Sequence, residues 1–145
     1  MYTLRPATQA DYEFLYQLHK VAMKKYIEAT WGWEESWQQD HFQAKWEPTK
    51  QQIIQVEGQD AGVLVVEQRD GAYYLGLLEI LPAFQGCGVG TAVIQDFIAV
   101  AKKQVLPATL HVLKSNPQAQ QLYERLGFVI VAEEEHKYLM MNDER

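Results

Sequence analysis

A chain of 145 residues has the size of one domain and can bury a real core, and 48% apolar residues make it globular rather than disordered. A formal net charge of −6 lacks the basic footprint of a general nucleic-acid binder and mildly favours a cationic ligand such as an amine. One cysteine excludes an internal disulfide, Met1-Tyr2-Thr3-Leu4-Arg5-Pro6 lacks the basic and apolar regions of a signal peptide, and no apolar run approaches a membrane span; a single cytoplasmic domain over residues 1–145 is expected, with no nucleic-acid and no membrane partner.

The elements alternate along the chain. Residues 2–5 read as a strand. Thr8 is a good N-cap with Asp11 at the capping-box position, and Tyr12, Leu15, Leu18, Ala22 and Ile27 form a helical stripe to about residue 28. Trp31-Gly32-Trp33 is a break. A second helix is predicted from Glu34 to Lys45, with Pro48 beyond its end. Residues 51–57 and 61–68 read as strands joined by a turn near Gly58-Gln59-Asp60, and Asp70-Gly71 leads into a strand over 72–81. A helix over about 91–105 and a strand over 108–113 follow. Next come a helix from about Pro117 to Leu126, closed by Gly127, and strands near 128–133 and 136–141. The pattern predicts an α+β, three-layer α/β/α architecture: a mixed central sheet flanked by helices.

The strand-to-helix turn Gln85-Gly86-Cys87-Gly88-Val89-Gly90-Thr91 is the strongest motif. Three glycines in five residues free backbone N–H groups to point outward, and the following helix adds unpaired N–H groups and the positive end of its dipole. Such a turn can bind phosphate, or be simply a tight turn shaped by glycine. It is not the dinucleotide fingerprint: the third glycine of G-x-G-x-x-G would fall at Thr91 or Val93, and no acid follows about 20 residues on. It is not a P-loop, because no lysine separates Gly90 from Thr91.

What surrounds the loop gives it a family. Gln85, Gly88 and Gly90 match Arg/Gln-x-x-Gly-x-Gly/Ala. Ile80-Leu81-Pro82 precedes it. Leu110, Val112, Asn116, Ala119, Tyr123, Gly127 and Phe128 follow as a strand, an Asn-x-x-Ala-x-x-x-Tyr helix and a Gly-Phe. With Tyr2 to Thr8 and Asp11-Tyr12 at the start, the chain resembles, over essentially its whole length, the GNAT family of acetyl-CoA-dependent N-acetyltransferases. The resemblance implies an acyl-CoA N-acyltransferase-like fold and direct transfer of an acetyl group from acetyl-CoA to a primary amine, without a metal. A catalytically weak CoA-binding or ligand-sensing module is the alternative. It implies a pantetheine arm lying where two central strands splay, as a pseudo-strand. The acceptor is left open among small molecules and peptide or protein amines, the donor between acetyl-CoA and a longer acyl-CoA; homodimerisation is left open as well.

The resemblance also implies roles. Backbone groups of Ile80 and of the loop Gln85, Gly86, Cys87, Gly88, Val89, Gly90 and Thr91 are expected to hold CoA, with Asn116, Ala119 and Tyr123. Tyr123 is expected to meet the departing thiolate as a donor, or else to pack beside Leu122 and Leu126. Asn116 is expected to bond the pantetheine arm, and is equally a plain N-cap. Glu79, set among Leu75, Leu77, Leu78, Ile80 and Leu81, should have a raised pKa suited to a base; a partly exposed or ion-paired glutamate is the other reading. His111 or ordered water is the next candidate for that role. Tyr26, Glu28, Trp31, Trp33 and Glu34, with Glu35 and Trp37 nearby, are expected on the acceptor side, where aromatics and carboxylates suit a cation; core or lid packing is the alternative. Cys87 stands where many relatives carry a cation, so Lys114 or Arg125 could supply charge; no catalytic cysteine is expected.

Overall fold

The computed structural model describes residues 1–143. Strands β1 (Thr3–Pro6), β2 (Gln52–Val56), β3 (Gln59–Arg69), β4 (Ala72–Ile80), β5 (Ala108–Leu113), β6 (Val129–Glu133) and β7 (Lys137–Asn142) form a seven-stranded sheet in the order β1-β2-β3-β4-β5-β7-β6. The helices are α1 (Tyr12–Trp31), α2 (Glu35–Ala44), α3 (Val89–Lys103) and α4 (Pro117–Arg125). The sheet is mixed, as expected: β4 and β5 run parallel, and β1–β2, β2–β3, β5–β7 and β6–β7 run antiparallel.

Local chemistry sets most boundaries. The Asp11 carboxylate accepts from the Thr8 N–H at 2.8 Å, fixing the entry to α1. That helix runs past residue 28 to Trp31, because its stop is Gly32 at φ 81, whose N–H reaches the Glu28 carbonyl. The first hairpin turns at Glu57-Gly58 (φ 52 and 77), earlier than the expected Gly58-Gln59-Asp60; both residues take the left-handed conformation of a two-residue turn, and Gln59 already belongs to β3. Asp70-Gly71 (φ 53 and 76) turns the second hairpin in the same way.

The chain divides into two compact units. One comprises residues 1–65 with 77–87, the other residues 66–76 with those from 88 onward. In the first, Ala7, Leu15, Leu18, Ile53 and Val63 form a buried cluster, against which Phe14, Phe42, Trp46, Leu77 and Leu81 pack. Burying each large aliphatic side chain favours folding by about 1.5–3 kcal/mol. Arg5 ties the start of this unit together, reaching Asp11 at 2.9 and 3.0 Å and Asp60 at 2.9 Å. In the second unit, Val93, Ile94, Phe97 and Ala101 form the buried face of α3, and Leu110, Phe128 and Met140 are buried among the strands. Tyr73 stacks on Phe97 with ring centroids 5.0 Å apart.

Candidate functional site

The first unit holds a cavity of about 780 Å³ beside the α1–α2 link. His19 and Ile27 on α1, Trp31, Gly32, Trp33 and Glu34 in the link, and Trp37, Gln38 and His41 on α2 line it. Trp31 and Trp37 are more than half exposed, so the cavity opens through an aromatic rim, and Trp37 stacks on His41 at 4.6 Å. Of the expected acceptor-side residues, Trp31, Trp33 and Glu34 come together here. Tyr26 and Glu28 lie on α1 outside this lining; the Glu28 carbonyl instead accepts the helix-ending bond from Gly32.

Glu35 braces the link. It accepts from the Tyr16 hydroxyl and from Trp33 Nε1 at 3.4 Å, and pairs with Lys20 at 2.5 Å. Lys20 and then Tyr16 hold its carboxyl down to about 2, whereas burial, then Glu35, pushes the Tyr16 phenol well up. One carboxylate thus anchors Tyr16 on α1 and Trp33 of the cavity lining.

Glu79 is buried, with its side chain 2% exposed, and does not line the cavity. Its carboxylate meets His19 Nδ1 at 2.8 Å. Sequence reasoning missed His19. It stands four residues after Leu15, hence on the apolar face of α1, which was the available signal. His111, the other candidate base, is held at both ring nitrogens, by the Tyr74 hydroxyl at 2.6 Å and Glu134 at 3.0 Å. Burial, then nearby Lys137, lowers its pKa.

At the end of β4, strand alternation sets which way the backbone groups face. The Leu81 N–H donates to the Ala61 carbonyl on β3, so the Ile80 N–H and C=O point away from β3. Gln85 Nε2 donates to that Ile80 carbonyl at 2.8 Å and closes the start of the loop. Cys87 Sγ donates to the Phe84 carbonyl at 2.9 Å, a turn-closing contact for an exposed thiol. The β4–β5 register pairs Tyr73 to Leu75 with Ala108 to Leu110, although each strand continues beyond.

In the second unit, Gly88 caps α3 at φ 88, ψ 2. The first helical bond joins the Ala92 N–H to the Gly88 carbonyl, leaving the Val89, Gly90 and Thr91 N–H groups outside the helical ladder. Gly86, in the preceding turn, has φ 76. Both glycines take conformations that cost other residues strain. Asn116 caps α4 by accepting from the Ala119 N–H at 3.2 Å. Tyr123 packs edge-on against Phe128, and burial pushes its phenol up to about 12. Among the described residues nothing hydrogen-bonds its hydroxyl. Lys114 is engaged, with Glu133 at 2.6 Å, and lies over the Tyr138 ring. Arg125 borders a second cavity of about 380 Å³ with Gln95, Ile98 and Asn142.

Among the described residues, no cluster of three or more His, Cys, Asp or Glu could hold a metal, and no helix is long and apolar enough to cross a membrane.

A sequence profile of the Acetyltransferase (GNAT) family matches residues 12–128. Among solved structures, the chain is similar to a PaiA N-acetyltransferase of Thermoplasma acidophilum in complex with coenzyme A: 14% identity, TM-score 0.79, 99% of each chain covered. It is similar to the ribosomal-protein-S18-alanine N-acetyltransferase of Escherichia coli, at 19% identity and TM-score 0.68, over 98% of this chain and 93% of that one. It is also similar to Arabidopsis thaliana Naa50 in complex with the bisubstrate analogue CoA-Ac-MVNAL, at 18% identity and TM-score 0.65, with 97% of each chain covered.

Proposed function

Because the chain belongs to the GNAT acetyltransferase family, we propose that it is a single N-acetyltransferase domain that moves an acetyl group directly from acetyl-CoA to a primary amine. The observation that carries this reading is the α3 N-terminus: Gly86 and Gly88 hold positive φ, and three helix N–H groups lie outside the ladder. That arrangement suits a pyrophosphate. It does so without a charged side chain, since Gln85 and Cys87 are spent on closing the turn.

The remaining roles follow from chemistry. Acetyl transfer needs a positioned thioester, a donor for the carbonyl oxygen, a proton for the thiolate and a neutral amine. The Ile80 N–H suits the carbonyl oxygen. Asn116 caps its helix through Oδ1, and its amide N–H groups remain available for the pantetheine arm. Tyr123, protonated throughout the neutral range, suits the thiolate. The tryptophan-rimmed cavity with Glu34 suits the acceptor: aromatic faces and one carboxylate attract an ammonium and reject an acid. In this reading Trp31, Trp33 and Glu34 are the acceptor contacts, and Tyr26 and Glu28 stand on α1 outside the cavity lining.

Incubating the purified protein with acetyl-CoA and a panel of polyamines, amino acids and peptide amines tests this reading. Free thiol should appear only with a matching amine, together with its acetylated product. Tight CoA binding with no thiol release across the panel would favour a ligand-sensing module instead.

A further inference from the structure

Glu79 poses a problem that the roles above leave unsolved. A buried carboxylate is costly unless it is paired. The partner that Glu79 has among the described residues is His19, at 2.8 Å, whose side chain is 23% exposed. In the tautomer with the hydrogen on Nδ1, His19 donates to the Glu79 carboxylate and Nε2 carries the lone pair. No described residue hydrogen-bonds Nε2. The ring itself lines the 780 Å³ cavity and a smaller one of about 200 Å³ behind it. Phe42 and Trp33 flank it, with ring centroids 5.9 and 6.3 Å away, so its plane is held.

We propose that His19 is the base that takes the proton from the acceptor ammonium, and that Glu79 is its positioning residue. This rests on the acetyltransferase reading. The ammonium gives one proton to Nε2, and Glu79 faces the positive charge that the ring acquires. The freed lone pair forms the C–N bond at the thioester carbonyl. The C–S bond breaks with its electron pair on sulfur, and the second proton lost by nitrogen ends on that sulfur. The proton held by His19 returns to solvent, so an ammonium and a thioester yield an amide, a thiol and one proton. The other charged or titratable residues lining these two cavities are Glu34 from the link and His41 and Lys45 from the α2 side. On α1 itself, Lys20 is paired with Glu35, and Lys24 lies over Trp33.

The test measures kcat/KM against pH for the parent, His19→Gln, His19→Asn, Glu79→Gln and the double variant, with an amine identified in the panel. Calorimetry of CoA binding to each reports whether it is folded. The His19 variants should lose on the order of 10²–10⁴-fold in kcat/KM, together with the acidic limb, at unchanged CoA affinity. The double variant should be no worse than His19→Gln, since two residues acting as a unit are not additive. The defect should shrink for an acceptor amine that is already neutral at the assay pH. An acidic limb that persists in both His19 variants, or independent additive losses, overturns the assignment while leaving the acetyltransferase reading intact. Absence of turnover by the parent with every amine overturns both.

Discussion

The α-carbon of Gly62 on β3 lies against the backbone carbonyl of Glu79 on β4. A Cβ at Gly62 would stand 2.4 Å from that oxygen and 3.3 Å from the Ile80 α-carbon. The obstacle is backbone, which cannot rotate aside as a side chain can. Gly62→Ala must push β3 and β4 apart just where Glu79 holds His19. We expect a loss of about 1–3 kcal/mol in urea unfolding, the usual cost of overpacking. Acceptor turnover should fall further than the lost stability explains. An unchanged unfolding midpoint would show that these strands separate freely.

The loop glycines separate strain from ligand contact. Nothing lies within 4 Å of a Cβ added at Gly86, so Gly86→Ala carries only the left-handed backbone cost of about 1–2 kcal/mol. Gly88→Ala adds a methyl at the α3 cap. Calorimetry should show CoA binding weakened more by Gly88→Ala than by Gly86→Ala, at similar thermal stability. Equal CoA affinity for both variants and the parent would remove the loop from CoA binding.

Tyr123→Phe removes a hydroxyl and keeps the ring against Phe128. Turnover should fall about ten- to a thousand-fold, the range of acid catalysis, with acetyl-CoA affinity little changed. Because the phenol titrates near 12, it stays a donor across the usual assay range and contributes no basic limb there. A basic limb below pH 9 or so that vanishes in Tyr123→Phe would contradict that environment.

Arg5 holds Asp11 below its ordinary value, chiefly by hydrogen bonding, and does the same to Asp60. Carboxyls depressed on folding stabilise the fold above their unfolded pKa of about 4, and that contribution fades as pH falls through the folded values. Arg5→Met should therefore cost about 1–3 kcal/mol at pH 7, towards the lower end because Arg5 and Asp60 are partly exposed. The gap from the parent should close below pH 4. Chemical denaturation at both pH values checks it; a gap that stays constant down to pH 2 would assign Arg5 a packing role instead.

The glycine loop, the Asn116 cap and the helical stripe of α1 were legible because each is a local signal. Spacing alone specifies them. The His19–Glu79 pair was not, since its partners lie 60 residues apart and neither is unusual by itself. Each is a polar residue on an otherwise apolar face, and two such misfits can solve each other's burial only in three dimensions. His111 carries no local sign of its partners, since its engagement with Tyr74 and Glu134 depends on β4, β5 and the stretch after β6. The first hairpin turn was misplaced because Asp60 reads as a turn residue, whereas it serves Arg5 and Gln55 from within β3.

The two compact units are each discontinuous in sequence, and the chain passes from one to the other at residues 65–66, 76–77 and 87–88. This fixes a timetable for synthesis. The first unit cannot be completed until residue 87 has left the ribosome, although its N-terminal helices emerge much earlier. Its early apolar surfaces, Leu15 and Leu18 among them, must wait for Leu77 and Leu81. The second unit opens with β-structure at 66–76 that must wait for the C-terminal strands. For the same reason no single cut releases either unit whole, and a C-terminal truncation that removes β7 leaves β5 without the strand that pairs along all six of its residues.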